Sequence, residues 1–538
     1  MEIIKNYFIV ENKRWILGSL LIAFLLLLPI AILFIKLFSE PGKNFSYLWN
    51  TVLIDYTFNT FYLILITSLF TLLFGLFPAW IISNYRFIGR NFYDLVLFLP
   101  LAIPSYIMGF TYIDILSFTG PVQSFLRNNF PWLASYFNID YMQIETLGVL
   151  LGLALYPYVY AAARVAFSLL GSNYIDLSKS LGLSTIKSFY KIILPLSRPA
   201  IFSGLFLVFM EVLNEYGAVK YFGINTYTTG IFKAWFSLGD IGTAIQLACL
   251  LLLVVFFFFV LEKISSSKTK FFYETNALVQ RLLYVSKDKL LFFHLVCSIP
   301  FILGFFIPFI FIVNNVFQTY SSIDFVRLFT LSFNTIFVSS LSSFIIIIVA
   351  LFFLFIEKIS KTKINTIISH LISLGYAIPG AVIGLGLIML FSNIIDSFFS
   401  VSLIGSFYVL IYAYVIRFLA VGKSPIKSSL EKHPESYDDT GKNLGLGPFK
   451  LLQKIHLPIN KFALISAFIL TFIDIMKELP ITLILRPFNF DTLATQTYEF
   501  AIEEMLPLSS SYSLSIIIIG SMLLLFLKNV INKQLNVS

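Results

Sequence analysis

Charge is scarce in this sequence: Asp, Glu, Lys and Arg supply 12% of its 538 residues, against 58% hydrophobic residues and 61 phenylalanines. A soluble domain cannot cover its surface from such a stock, so the chain reads as a polytopic membrane protein. Cysteine is nearly absent, Cys249 and Cys297 both lie inside apolar runs, and the four histidines are scattered. Neither a disulfide framework nor a fixed metal site follows from that set. The apolar runs also lack the polar–apolar alternation over about ten residues that a membrane β-barrel requires. Helices remain, because only they satisfy every backbone group of an open segment in lipid.

Crossing a hydrocarbon core of about 30 Å takes roughly 20 apolar residues in a helix. Such runs occur near 15–38, 59–83, 93–116, 146–170, 200–222, 241–262, 290–317, 331–356, 366–395, 402–422, 462–485 and 511–532. The first follows Lys13 and Arg14 and has no small-residue cleavage site, so it is expected to be a retained anchor. About 29 of the 37 Lys and Arg then fall at the N-terminus, in even-numbered loops and at the C-terminus, a positive-inside bias that puts both termini in the cytoplasm. The net charge of +9 is thereby explained without a nucleic-acid partner.

An internal repeat sets the organisation. Asn59-Thr60 and "AIP" at 102–104 recur as Asn334-Thr335 and "AIP" at 377–379, an offset of 275 residues. From Gly182 onward the offset is 263, with Pro195 matching Pro458, Glu211 matching Asp474 and Glu215 matching Glu478; a longer external loop near 117–145 absorbs the difference. The expected division is a first six-helix repeat over 1–262, a cytoplasmic linker over 263–289 and a second six-helix repeat over 290–538. A parallel duplication of this kind implies a pseudo-twofold axis along the membrane normal with a route between the halves, the organisation of a transporter.

Two polar inserts interrupt the apolar pattern, "DLSKSLGLSTIKSFYKIILP" at 176–195 and "DTGKNLGLGPFKLLQKIHLP" at 439–458. Both run from an acid through a glycine to Ile-x-Leu-Pro with the same spacing: Asp176, Gly182, Ile192, Leu194, Pro195 and Asp439, Gly445, Ile455, Leu457, Pro458. Glycine permits a sharp turn between helical segments, and proline suits the first turn of the next helix. Each insert therefore reads as helix, turn, helix. A DNA-reading element stitched twice between membrane helices is a poor alternative, and two ordinary basic loops do not predict identical spacing.

These inserts resemble the signature loop of ATP-binding-cassette importer permeases: Glu-Ala-Ala, three residues, Gly, nine residues, Ile, one residue, Leu-Pro. The chain keeps Gly, Ile, Leu and Pro in both copies but has Asp176-Leu177-Ser178 and Asp439-Thr440-Gly441 in place of Glu-Ala-Ala. The resemblance implies an all-α, type I importer permease fold of about 12 transmembrane helices, with coupling loops at 171–199 and 423–461. It also implies two ATPase subunits as partners and ATP-Mg bound on them, together with a periplasmic or extracellular solute-binding protein and a multi-pass place in a bacterial inner membrane. No G-x-x-x-x-G-K-[ST] occurs in the sequence; "RFLAVGKS" at 417–424 lacks the first glycine and ends a membrane helix, the wrong context for a phosphate loop.

The stretches 211–236 and 474–501 resemble the fused two-domain ferric-iron permeases, and the likeness runs over nearly the whole chain. Related fused permeases serve thiamine and phosphonates, so the resemblance is firmer for the class than for the cargo. Within these stretches Glu211 and Glu215 are four apart on helix 5, and Asp474 and Glu478 four apart on helix 11, a spacing that puts each pair on one helix face. Ionisable groups at membrane depth are expected to face a wet interior, which makes these acids and Lys477 candidates for the translocation route; carboxylate oxygens suit a hard cation. The competing reading is that they pair with Lys477, Lys220 or backbone groups and hold helices together. A secondary transporter driven by an ion gradient is the other transport class, but it leaves the paired inserts unexplained, and no cluster of catalytic residues suggests an enzyme. Gly380 and Gly384 form a helix-packing face, and Pro104 and Pro379 are expected to kink helices 3 and 9.

Overall fold

A computed structural model describes residues 2–37, 42–267, 282–360, 363–392, 403–434 and 436–537. Its twelve principal helices are α1 (Glu2–Leu37), α2 (Leu53–Asn84), α3 (Ser105–Leu116), α4 (Ile144–Ser180), α5 (Leu194–Asn214), α6 (Ile241–Ser267), α7 (Lys287–Phe301), α8 (Phe325–Ser360), α9 (Gly380–Leu390), α10 (Phe407–Glu431), α11 (Lys461–Met476) and α12 (Leu506–Val537). Among the described residues nine helical stretches are each long and apolar enough to cross a membrane, and three bent pairs bring the count to as many as twelve. The only strands there are Tyr85–Arg86, after α2, and Leu283–Tyr284, near the cut between the two sequence halves, and they pair in parallel. Of the expected linker, 268–281 lies outside the described residues; α6 runs to Ser267 and α7 starts at Lys287.

The prolines do more than kink. Between Arg90–Ala102 and Ser105–Asn129 the chain turns by 92°, and between Ile367–Ala377 and Gly380–Leu390 by 110°. Ile103 and Ile378, each just before a proline, are extended with ψ of 114° and 125°, because the following ring clashes with a helical residue there. The small-residue face of α9 packs as its spacing suggests: a Cβ on Gly384 would lie 2.7 Å from the Ile484 side chain.

The residues cluster into two compact units that do not follow the sequence repeats. One comprises 1–41, 324–495 and 522–538; the other comprises 42–323 and 496–521. The N-terminal helix thus packs with second-half elements: a Cβ on Gly386 of α9 would meet the Pro29 carbonyl of α1 at 2.6 Å. Conversely α7, which starts the second repeat in sequence, joins the first-half unit, where the Tyr112 hydroxyl donates to the carbonyl of Leu303, just beyond α7. In each unit the fourth helix of the repeat forms the core, with 72% of its most apolar window buried for α4 and for α10 against 33% for α2.

The Asn-Thr pairs that revealed the repeat perform the same task twice. The Asn59 amide donates to the Asn225 carbonyl at 2.9 Å, and the Thr60 hydroxyl accepts from Tyr227 N–H at 3.4 Å. Asn334 donates to the Asp491 carbonyl at 3.1 Å, and Thr335 accepts from Leu493 N–H at 2.9 Å. Each pair clamps the start of a short helix, Tyr227–Phe232 or Leu493–Ile502. Both starts are also capped from within: the backbone N–H of Thr226 donates to Thr229 Oγ1 and that of Thr492 to Thr495 Oγ1, at 2.8 and 2.9 Å. Such reciprocal caps satisfy N–H groups that a helix start otherwise leaves bare. Thr335→Val removes the acceptor of a buried N–H and should destabilise the detergent-solubilised protein by about 1–3 kcal/mol. Thr60→Val, losing a longer bond, should cost less. Denaturant unfolding of the two variants measures both, and a larger loss at position 60 would contradict this account.

Candidate coupling hairpins and membrane-buried acids

Both polar inserts fold into the same hairpin. In the first, α4 runs on to Ser180, the chain turns at Gly182 with φ of +73°, and helix resumes at Thr185–Ser188. In the second, the helix Ser436–Asn443 ends at a turn on Gly445 with φ of +76°, followed by Pro448–Leu451. Leu183 N–H reaches back to the Ser178 carbonyl and Leu446 N–H to that of Gly441, both at 3.0 Å, the closing bond of a Schellman turn whose left-handed residue is normally glycine. A Cβ on either glycine would meet nothing within 4 Å, so backbone conformation rather than crowding restricts these positions.

The Leu-Pro ends share a device that the sequence reading did not foresee. A widened π turn occupies Phe189–Ile193 and, at the same offset, Leu452–His456. Leu194 N–H bonds the Phe189 carbonyl and Leu457 N–H the Leu452 carbonyl. The next residue in each case is proline, which lacks an N–H and would clash with the carbonyl four residues back in a regular helix. Widening the turn by one residue relieves both defects and carries the hairpin continuously into the following helix. Ile192, Leu194, Ile455 and Leu457 are half-buried along this joint, Pro195 is half-buried and Pro458 exposed. Asp439 is exposed and pairs with Lys442 at 3.4 Å; the Asp176 side chain lies outside the described residues.

The departure from Glu-Ala-Ala acquires a physical reason here. Ser178 and Ser188, both buried, face one another across the first hairpin, and the Ser188 hydroxyl donates to Ser178 Oγ at 2.6 Å. The matching positions of the second hairpin are Gly441 and Leu451. A Cβ on Gly441 would lie 2.4 Å from Leu451 Cδ1 and 2.8 Å from Ile455 Cδ1, so the absence of a side chain at one position admits a large one at the other. The second hairpin is also tied by charge: Asp438 lies 2.8 Å from His456 Nε2 and 3.3 Å from the Lys358 ammonium at the end of α8. Burial, with that same ammonium, holds the neighbouring His433 imidazole below its ordinary pKa. The first hairpin has Ile175 and Ile193 at the positions of Asp438 and His456, and it is anchored by rings instead, with Phe189 packed on Trp80 at 4.9 Å and on Phe167 at 6.0 Å.

Outside each hairpin core, large apolar side chains stand exposed at repeat-related places: Tyr174 and Tyr437, Leu181 and Leu444, the leucines 67% and 76% exposed. Exposed apolar groups grouped on a turn mark a contact surface. The 263-residue offset also relates these four in the sequence, as an identical Tyr and an identical Leu at each hairpin.

The acids do not occupy helix faces as their spacing suggested. α5 stops at Asn214, leaving Glu215 extended with ψ of 119°, and α11 stops at Met476, two residues before Glu478. Glu215 accepts from Ala218 N–H at 2.9 Å and Glu478 from Ile481 N–H at 3.3 Å. Each carboxylate therefore caps the short helix after the break, Gly217–Tyr221 or Pro480–Leu485, where exposed N–H groups favour negative charge. Partners then diverge. Ser105 donates to Glu215, whereas Arg417 of α10, 1% exposed, approaches Glu478 at 3.4 Å and donates to the Ile378 carbonyl at 2.8 Å. Arg417, set aside in the sequence as a failed phosphate-loop position, is thus the counterion of a buried acid. Glu211 remains on α5, half-buried, and Asp474 on α11 pairs with Lys477 at 3.0 Å. Lys220 is exposed at the end of Gly217–Tyr221.

The chain is similar to several transport permeases. Residues 72–271 match the family described as binding-protein-dependent transport system inner membrane component. The Fe(3+)-transport system permease protein FbpB 2 of Haemophilus influenzae is 25% identical over 87% of this chain and 88% of its own length. The sulfate transport system permease proteins CysT of Salmonella typhimurium and Escherichia coli are 29% and 28% identical, each over 38% of this chain and 72% of their own length.

The complementary pairs at the hairpin cores give a direct test. Gly441→Ser should loosen the second hairpin by about 1–3 kcal/mol through overpacking. Adding Leu451→Ser, which recreates the Ser–Ser pair of the first hairpin, should restore at least about 1 kcal/mol of it. Amide hydrogen exchange over 436–456 reads both effects, and additive losses would show that the two positions are not coupled.

Proposed function

We propose that this chain, a member of the binding-protein-dependent inner-membrane permeases, moves ferric iron inward under the drive of ATP hydrolysed on separate subunits. Permeases of this class work with an ATP-binding-cassette ATPase and a solute-binding protein. In the proposed arrangement two ATPase subunits, each binding ATP-Mg, grip one hairpin apiece, and both termini face the cytoplasm with them. Asp176, Gly182, Ile192, Leu194 and Pro195 form one coupling element; Asp439, Gly445, Ile455, Leu457 and Pro458 form the other. The observation that carries this reading is the duplicated hairpin, with its left-handed glycine, its π joint and its exposed Tyr and Leu at one constant offset. A short stiff element joined without a break to a membrane helix transmits a push that a loose loop would absorb.

The cargo rests on the relative that spans nearly the whole fused chain, an Fe(3+) permease by name. Acids on the fifth and eleventh helices support it, since a trivalent cation gains most from carboxylates in a poorly screened setting. In this scheme Glu211 and Asp474 offer charge to the passing cation, with Lys477 moderating it. Glu215 and Glu478 hold the broken helices in place beside the route.

Reconstituted vesicles containing the permease, its ATPase and its binding protein test both parts with radioactive ferric iron. Gly445→Val forces a β-branched residue into left-handed backbone at a cost of about 1–3 kcal/mol, so the protein should insert yet lose hydrolysis stimulated by the binding protein. Glu211→Gln with Asp474→Asn should lower ferric uptake severalfold while basal hydrolysis persists. Normal stimulated hydrolysis in the first variant would refute the coupling role. Unchanged uptake in the second would return the acids to a structural role, and failure of the parent protein to move iron would overturn the cargo.

A further inference from the structure

A cavity of about 340 Å³ opens beside the turn that follows α2, lined by Arg86, Arg90 and Asn91 with Phe87, Phe92 and Leu282. It lies at the hairpin end of its unit: the Trp80 ring, one turn of α2 before Tyr85, packs on Phe189 of the first hairpin at 4.9 Å. Among the described residues neither guanidinium sits in an ion pair, and Arg90 is the more firmly held of the two. Arg90 donates through Nε to the Ile82 carbonyl at 2.8 Å, which fixes its plane and leaves its terminal nitrogens for another acceptor. Arg86 lies 5.8 Å from the Tyr284 ring, and its Nη1 is 3.5 Å from the Tyr284 hydroxyl. The nearby acid, Asp94, is already engaged by Arg164 Nε and Nη2 at 2.5 and 2.6 Å and by the Tyr160 hydroxyl at 3.0 Å. Around the cavity the side chains are apolar and open, with Ile88 82%, Tyr284 81% and Phe92 55% exposed.

We infer that this cavity binds the phosphate of an anionic phospholipid. Arg90, fixed through its Nε, and the exposed Arg86 beside it supply guanidinium donors of the geometry that a phosphodiester accepts, Asn91 adds a polar group at the wall, and the exposed Ile88, Phe92 and Tyr284 suit acyl chains and the headgroup boundary. Basic pockets between membrane helices on the cytoplasmic side favour such lipids. The site joins the turn after α2 to the strand residues Leu283–Tyr284 ahead of α7, so a bound lipid fastens the meeting point of the two sequence halves. This assignment rests on the proposed orientation, with the hairpins toward the cytoplasm, and on neither the cargo nor the acids of α5 and α11.

Native mass spectrometry of the full chain, released from micelles carrying equal amounts of phosphatidylglycerol and phosphatidylcholine, tests it. The parent should retain the anionic lipid at least about fivefold over the neutral one. Arg86→Gln should lose most of that preference, Arg86→Gln with Arg90→Gln all of it, and Arg86→Lys should keep part of it. Because Arg86 is exposed, the single variant folds even if the double does not. Undiminished preference in Arg86→Gln would overturn the assignment. Displacement of the lipid by millimolar inorganic phosphate would identify the ligand as the free anion and overturn the lipid reading; retention of the lipid under phosphate supports it.

Discussion

Lipid offers no hydrogen bonds, and that constraint governs the broken helices of this protein. Where α5 and α11 end within apolar stretches, the N–H groups of the next short helix must find acceptors inside the protein. Glu215 and Glu478 supply them. A carboxylate is the strongest acceptor available, and the partial positive charge of the helix start offsets part of the cost of burying it. The clamps from Asn59-Thr60 and Asn334-Thr335 meet the same demand one loop further on. Broken helices at membrane depth persist because each of these groups is satisfied, and broken helices are where transporters build their routes.

The two repeats solve shared problems with shared backbone and private side chains. Left-handed glycines, π turns and capping threonines recur at fixed offsets. Partners that fix the same elements differ: Ser105 against Arg417 at the buried acid, Ser178–Ser188 against Gly441–Leu451 in the hairpin, ring packing on Trp80 against the Asp438–His456–Lys358 cluster. Truncating one partner of a buried ion pair leaves an uncompensated charge, whereas truncating one ring leaves a cavity. The two hairpins consequently differ in their sensitivity to substitution although their backbones match.

The class of protein was legible early because its signals are local or periodic. Long apolar runs announce membrane helices, and a repeated Gly-to-Pro spacing announces the hairpins. The left-handed turns at Gly182 and Gly445 follow from glycine alone, and the sharp breaks at Pro104 and Pro379 follow from proline. Spacing alone puts Glu211 and Glu215 on one face, because periodicity assumes that the helix continues, whereas α5 ends at Asn214. Helix length in an apolar stretch carries no mark of where a side-chain cap substitutes for the next turn.

Sequence by itself determined the helix inventory, the duplication and the positions that must turn, since these depend on residues near in the chain. Tertiary structure alone decided the partners. Nothing in the chain order couples Arg417 to Glu478, and nothing in the repeat indicates that α1 belongs with α9 or that α7 joins the unit of the first half. These are choices among many apolar helices of similar composition. They are settled by small-residue close approach and by the need of each buried polar group for a partner, quantities that exist only once distant segments meet.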